Sequence, residues 1–398
     1  MNMEERAVVS SNQEWLDCVY QKLMVKMQAE CKRIGTMIPY TTDANGKYYD
    51  IEEGRWGIGF WTNGFWSGML WQLYEATGEE SYKTAACGVE DRLAVLLNSA
   101  ETVDHDMGFL YLLSSVAHYR KTGDKKARQR GLLAANLLAG RYNPEGKFIR
   151  AWNGPAHNKM SEMMGGGDIR GWMIIDWMMN LPLLYWAADE LDDPRFRQVA
   201  VNHAKTAQQY VVRPDGSCNH IVGFDPETGE HLENPAGQGY AKGSSWSRGQ
   251  SWAVYGFALS YRHTKEKSFL DTAKICAHYC ISNLAVKDWL SLVDYRQPDE
   301  PEKYDSTAAM ITAAGLLEIA EHVEEGEKRL YTEAAYRILR ACDEKFCCWN
   351  PEKDSIVDGG TFFYHDPTGE NTEVPIIYAD YYFIEAVLRL KGKSMFVW

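Results

Sequence analysis

The sequence predicts an all-α fold, an (α/α)6 barrel, from three observations. A helical hairpin unit recurs along the chain, the first helix of each unit is apolar and aromatic while the second is charged, and no Pro- or Ser-rich linker divides the 398 residues. The units follow one another as FWSGMLWQLYEATGEESYKTAACGVEDRL, GFLYLLSSVAHYRKTGDKKARQRGLLAANLL, NLPLLYWAADELDDPRFRQVAVNHAKTAQQYV, WAVYGFALSYRHTKEKSFLDTAKICAHYC and AAGLLEIAEHVEEGEKRLYTEAAYRILRAC. A leading helix near NQEWLDCVYQKLMVKMQAEC and a last one, ADYYFIEAVLRLKG, form a closing pair and complete six hairpins. The apolar helix of each unit suits an inner position and the charged one an outer position, because amphipathic periodicity tracks what each face touches. Units of roughly 50 to 70 residues exceed the 34 of a tetratricopeptide array, which favours a closed barrel over an open solenoid. Residues 1–398 therefore read as a single domain.

The connections NPEGKFIRAWNG, RPDGSCNHIVGFDPETGE and YHDPTGEN are long and carry Pro-Asp-Gly and Asp-Pro-x-x-Gly, the chemistry of tight turns and short hairpins. In a barrel such connections gather at one mouth, and function tends to sit on loops held by a rigid scaffold. Polar residues that start inner helices then face a common cavity.

Composition excludes several classes. A hydrophobic fraction of 45% permits a sizeable core, and the formal charge of 42 minus 55, or −13, argues against a nucleic-acid or anionic membrane partner. The opening MNMEERAVVSSNQEW has no basic segment followed by an apolar one, so the expectation is a cytoplasmic enzyme without a secretory signal, monomeric or homodimeric. Nine scattered cysteines, including the adjacent Cys347 and Cys348, read as reduced thiols. Cys276 and Cys280 lack the clustered partners of a zinc site, and no metal is expected. The longest apolar stretch, WMIIDWMMNLPLLYWAA, is interrupted by Asp176, Asn180 and Pro182 and reads as a buried helix, too short and polar to span a bilayer.

Two acids stand out. Asp106, in DHDMGFLY, lies just before the second inner helix, where it could simply cap that helix. Asp176 is read as lying inside the third inner helix, between Ile174, Ile175, Trp177 and Met178, where a carboxyl must find partners or hold its proton. Two carboxyls at similar heights on neighbouring inner helices is an arrangement that glycoside chemistry uses. Fourteen tryptophans include the clusters FWTNGFWSGMLW and SSWSRGQSW, and an indole face suits the apolar side of a pyranose. In the second cluster Trp246, Arg248, Gln250 and Trp252 lie on a Gly/Ser-rich approach to a helix, and Arg248 is the cation that a carboxylated sugar needs, unless it forms only a surface salt bridge. His220 could be a hairpin residue and no more; Gly165 to Gly167 lack the context of a phosphate loop and read as a flexible rim.

The motifs WTNGFWSG, HDMGF, MIIDWMMNLPLL, GQGY and SSWSRGQSWAVYG, in this order, resemble the unsaturated glucuronyl hydrolases of glycoside hydrolase family 88. The resemblance runs from about Trp61 to Asp305-Ser306 and returns at ADYYFIEA. It implies an (α/α)6 barrel that acts on the 4,5-unsaturated uronic acid which lyases leave at the non-reducing end of glycosaminoglycan fragments, without metal or organic cofactor. It also implies that Asp106 and Asp176 are the essential carboxylates, Asp106 kept ionised by donors at its helix start while Asp176 holds a proton. Trp61, Trp152, His220, Gln238, Trp246, Arg248 and Trp252 match its substrate pocket. An unsaturated rhamnogalacturonyl hydrolase is the near alternative and a non-catalytic helical-repeat binding protein the distant one. Some members that accept sulfated fragments carry Ser-x-x-Ser-x-Lys near the C-terminal end; here those positions fall on Phe363, Asp366 and Thr368, which implies a preference for unsulfated disaccharides.

Overall fold

A computed structural model describes residues 3–53, 57–153 and 159–398, with side chains described for 10–52, 57–153 and 161–398. Its helices alternate between two rings. The inner ring holds α2 (Phe65–Thr77), α4 (Met107–Tyr111) continued by a π-helical turn (Leu112–Val116) and α5 (Ala117–Thr122), α8 (Leu181–Leu191), α10 (Ser247–Thr264), α12 (Ser306–Ala320) and α14 (Ile377–Leu390). The outer ring holds α1 (Met3–Ile34), α3 (Glu80–Leu93), α6 (Lys125–Ala139), α9 (Pro194–Tyr210), α11 (Lys267–Ala285) and α13 (Glu325–Phe346); α7 (Lys159–Met163) is a short helix in a connection. Each inner helix packs on the outer helix that follows it, α14 packs on α1, and α14 also packs on α2 to close the inner ring. The six expected hairpins are thus present, including the closing pair made from the two ends of the chain.

The sequence explains this division. Every residue of α12 is buried, whereas α13 buries only one face, through Tyr331, Ala334, Ala335, Ile338, Leu339 and Cys342. The hairpins are tight because a left-handed residue ends the inner helix and the next helix starts at once: Gly78, Gly123, Asp192 and Lys265 have φ of 74°, 75°, 50° and 58°. Asp124 and Asp193 then cap α6 and α9 by accepting from the N–H groups of Ala127 and Arg195.

Three short antiparallel hairpins decorate the connections: β1 (Pro39–Thr42) with β2 (Tyr48–Asp50), β3 (Tyr142–Asn143) with β4 (Phe148–Ile149), and β5 (Trp172–Ile174) with β6 (Ile221–Gly223). The last corrects the sequence reading. MIIDWMMN is not the body of an inner helix: Trp172–Ile174 is a strand, Ile175–Met179 a 3₁₀ turn, and α8 starts only at Leu181, with Pro182 in its first turn. Among the described residues no helix is long and apolar enough to cross a membrane.

An aromatic column runs down the barrel axis. Trp61 at the mouth meets Phe109 (ring centroids 5.3 Å apart), and Phe109 meets Trp252 (5.3 Å) and Trp398 (6.1 Å). Trp398 stacks on Tyr382 with an interplanar angle of 6°, and its indole N–H donates to Glu385 Oε2 at 3.0 Å. Removing a buried Trp to Ala costs about 3–5 kcal/mol in lost transfer energy and cavity formation. Trp398→Ala is therefore expected to lose that much stability in chemical denaturation; a change below about 1 kcal/mol would mean the lower barrel does not depend on this ring.

Candidate active site

All six inner helices run in one direction, so their N-terminal ends share one mouth, and the residues leading into them line a cavity of about 380 Å³. Trp61 comes from the turn before α2, Asp104, His105 and Asp106 from the loop before α4, Trp152 from the segment after β4, and Asp176 from the 3₁₀ turn before α8. Gln238, Trp246 and Arg248 come from the approach to α10 and its first turn, and Phe362 from the loop before α14.

Asp106 sits at the position that precedes α4, yet its side chain makes no capping bond. The expectation that the helix start supplies its donors is therefore corrected. Its Oδ1 accepts from Asn180 Nδ2 at 3.2 Å, its Oδ2 lies 3.2 Å from His105 Nε2, and its backbone N–H donates to Asp104 Oδ1 at 2.8 Å. Asn180 also accepts the Phe109 N–H at 2.9 Å and donates to the backbone oxygen of Asp176 at 3.4 Å, so one side chain holds both acid-bearing turns. Only a glycine at 108 permits this approach: a Cβ there would lie 2.5 Å from Asn180 Cα. Burial pulls the His105 pKa down, but the negative charges of Asp106, Asp104 and Asp176 outweigh it, and the net direction is upward.

Asp176 is partly exposed to the cavity, its side chain 18% accessible, and His220 Nε2 stands 3.6 Å from its Oδ2. His220 Nδ1 accepts the backbone N–H of Gln238 at 3.0 Å, which leaves the proton on Nε2, directed at Asp176. Gly237, at φ 72°, makes room for this bond, since a Cβ there would lie 2.0 Å from Nδ1. Burial lowers the His220 pKa and the nearby Asp176 opposes that, with a net downward direction, so the ring is neutral at pH 7. The His220 ring also lies 4.1 Å from that of Trp246, and the Arg248 guanidinium lies 4.5 Å from the centre of the same indole.

Arg248 is not at a surface salt bridge. It is fully buried and donates from Nη1 to Asp305 Oδ2 (2.6 Å) and the Thr361 carbonyl (2.7 Å), and from Nη2 to the Phe362 carbonyl (2.8 Å). Nε–H and one Nη2 proton have no protein partner among the described residues, on a side chain that lines the cavity. Gln238 Nε2 donates to the same Phe362 carbonyl at 2.7 Å. Of the nine residues expected at the site, seven line the cavity: Asp106, Asp176, Trp61, Trp152, Gln238, Trp246 and Arg248. His220 stands behind Asp176. Trp252 does not line the cavity: it is buried in the aromatic column behind Trp61, with Phe109 and Tyr382 around it.

Sequence reading missed Asp104, His105, Asn180, Asp305 and Phe362. Asp104 and His105 adjoin Asp106 in DHD, and Asn180 lies one helical turn beyond Asp176, signals that were available. Phe362 enters through a distant loop and leaves no local trace. Phe363, Asp366 and Thr368 are absent from the cavity wall. Asp366 instead organises its own loop, accepting from the N–H groups of Thr368 and Asn371 and from the Thr368 hydroxyl. Among the described residues no group of three or more His, Cys, Asp or Glu side chains is placed to hold a metal.

An (α/α)6 barrel with two carboxyls inside a tryptophan-walled cavity defines a carbohydrate-active hydrolase. The chain belongs to Glycosyl Hydrolase Family 88, whose profile matches residues 32–345. It is 36% identical to an unsaturated glucuronyl hydrolase of a Bacillus species over 90% of this chain and 92% of that one. It is 35% identical to an unsaturated chondroitin disaccharide hydrolase of Streptococcus pneumoniae, over 80% and 79% of the two chains. The crystal structure of an unsaturated glucuronyl hydrolase from Streptococcus agalactiae superposes with a TM-score of 0.85 at 30% identity, covering 96% of this chain and 93% of the other.

The Arg248–Asp305 pair has a measurable consequence. Arg248→Ala leaves Asp305 buried without its cation, and breaking a buried pair on one side costs about 3–5 kcal/mol. The variant is expected to lose stability in thermal or chemical unfolding as well as substrate affinity; an unchanged unfolding midpoint would show that Asp305 needs no cation here.

Proposed function

We propose that the enzyme releases the 4,5-unsaturated uronic acid from the non-reducing end of lyase-generated glycosaminoglycan oligosaccharides, with Asp176 as the acid/base group and Asp106 as the carboxylate beside it. The observation that carries this reading is the placement of both acids on one cavity by Asn180, with a neutral His220 behind Asp176 and an open edge of Arg248 on the wall. The pectic alternative and a non-catalytic binding role have no comparable support in the site.

The substrate on this reading is a vinyl ether. Asp176 gives its proton to C4, positive character develops at C5 and the ring oxygen, and water adds to C5 while the Asp176 carboxylate takes its proton. The C5 hemiketal opens to a ketone, and the hemiacetal formed at C1 expels the remaining saccharide as an alcohol. Because His220 directs its proton at Oδ2, the mobile proton of Asp176 belongs on Oδ1. Asp106, held by Asn180 and His105, contributes negative charge next to the developing cation. The open N–H groups of Arg248 suit the uronate carboxylate, and the partly exposed Trp61 and Trp152 suit the apolar side of the sugars.

Incubation with unsaturated hyaluronan or chondroitin disaccharides, followed by loss of the ultraviolet absorbance of the conjugated double bond, tests the reading directly. Asp176→Asn keeps the shape but cannot exchange a proton, and kcat is expected to fall by about 10²- to 10⁴-fold with folding intact. Retention of more than about a tenth of the rate would remove Asp176 from the acid/base role.

A preference for unsulfated over 6-sulfated disaccharides is also proposed. The positions that would carry sulfate donors hold an aromatic ring, an acid whose oxygens are used by its own loop, and a threonine without positive charge. A higher kcat/KM on the 6-sulfated disaccharide would overturn this.

A further inference from the structure

Asp104 has no part in the mechanism above, yet it lines the same cavity as Asp106 and Asp176. One of its oxygens accepts the Asp106 backbone N–H at 2.8 Å, and the other has no hydrogen-bond partner among the described residues. Among the described residues no cation is bonded to it. Arg141, from the loop after α6, acts on it electrostatically, but its guanidinium donates to the carbonyls of Val103, Arg150 and Ala151 and to Asn153 Oδ1. Asp106 and His105 adjoin Asp104 on its own loop, and Asp176, Arg248 and the exposed Glu101 line the same cavity. Arg248 is already paired with Asp305.

We propose that Asp104 is a specificity residue that sets how tightly this cavity holds an anionic sugar: protonated, it admits the uronate, and ionised, it opposes it. The inference rests on the proposed activity and adds a pH-dependent charge to the binding wall. Burial, and then the negative charge of Asp106, push the Asp104 carboxyl up to about 6, against the opposing effects of His105, the Asp106 N–H and Arg141. The sign follows. A uronate carboxylate, like other ordinary carboxylic acids, stays ionised from pH 5 to pH 7.5. Asp104 is neutral at the lower end of that range and charged at the upper end, so affinity falls as pH rises.

The test measures KM for an unsaturated hyaluronan disaccharide and for its uronate methyl ester between pH 5 and 7.5. In the wild type, KM for the acid is expected to rise about three- to tenfold across this range, and KM for the ester to change less than about twofold. Asp104→Asn keeps an oxygen for the Asp106 N–H but cannot ionise, and it is expected to flatten the rise for the acid. Asp104→Ser, whose hydroxyl also accepts that N–H, makes the same comparison should the Asn variant fold poorly. A rise that persists in either folded variant would overturn the proposal, as would a variant that loses kcat and stability at every pH with the acid-to-ester ratio unchanged. Failure of the wild type to turn over any unsaturated disaccharide is the separate result that sinks the activity itself.

Discussion

The hydrogen bond from Asn180 to Asp106 is the contact on which the site depends. Both residues occupy positions that lead into inner helices, where Asn and Asp side chains ordinarily accept an N–H of their own helix. Neither does so. The two side chains bond to each other at 3.2 Å, and Asn180 takes an N–H from the neighbouring helix instead, that of Phe109. The starts of α4 and α8 are thereby tied together, and the turn carrying Asp176 is held through its backbone oxygen. Some local helix-end stabilisation is lost in exchange for a fixed spacing between two acids. The inner ring supplies the rigidity that makes the exchange possible, because residues Met107–Tyr111 and Leu181–Ala188 are all buried.

The fold was legible because its signal repeats. Six alternations of an aromatic helix with a charged one leave few architectures, and the contrast is plain at Ser306–Ala320, buried throughout, against Glu325–Phe346, buried on one face. What was not legible is the path of MIIDWMMNLPLL. A continuous apolar run carries no periodicity, so a buried strand and a buried helix look alike. Pro182 was the available clue, since Pro favours the first turn of a helix and places its start near Leu181. The strand is decided by a partner, Ile221–Gly223, nearly fifty residues away, which no local pattern reveals.

The site was legible in part for the same reason. Residues that begin inner helices, such as Asp106 and Arg248, could be placed at the mouth from chain order alone. Their partners could not. Asp305 pairs with Arg248 from the next hairpin, and the Phe362 carbonyl, from a loop more than a hundred residues later, fixes Arg248 and Gln238 together. Trp252 illustrates the opposite error. It lies four residues after Arg248, one helical turn deeper into the barrel, where an indole that sequence assigns to a sugar wall becomes packing behind Trp61.

A chain with a formal charge of −13 that is proposed to accept an anion needs a source of positive potential, and the structure limits what that source can be. The arginines near the cavity are committed: Arg248 to Asp305 and two carbonyls, Arg141 to three carbonyls and an amide oxygen. Asp106 is held by Asn180 and by His105, whose pKa the surrounding acids raise, and Asp176 by a neutral His220. A lysine or arginine in direct contact would lock a carboxylate in its ionised form and oppose proton transfer. A further contribution comes from the scaffold. The longer inner helices, α2, α8, α10, α12 and α14, point their N-terminal ends toward the mouth, each equivalent to roughly half a positive charge. Those partial charges favour an anion across the whole cavity without fixing the protonation state of either acid. The single-direction inner ring that follows from six consecutive hairpins is therefore an electrostatic arrangement as well as an architectural one.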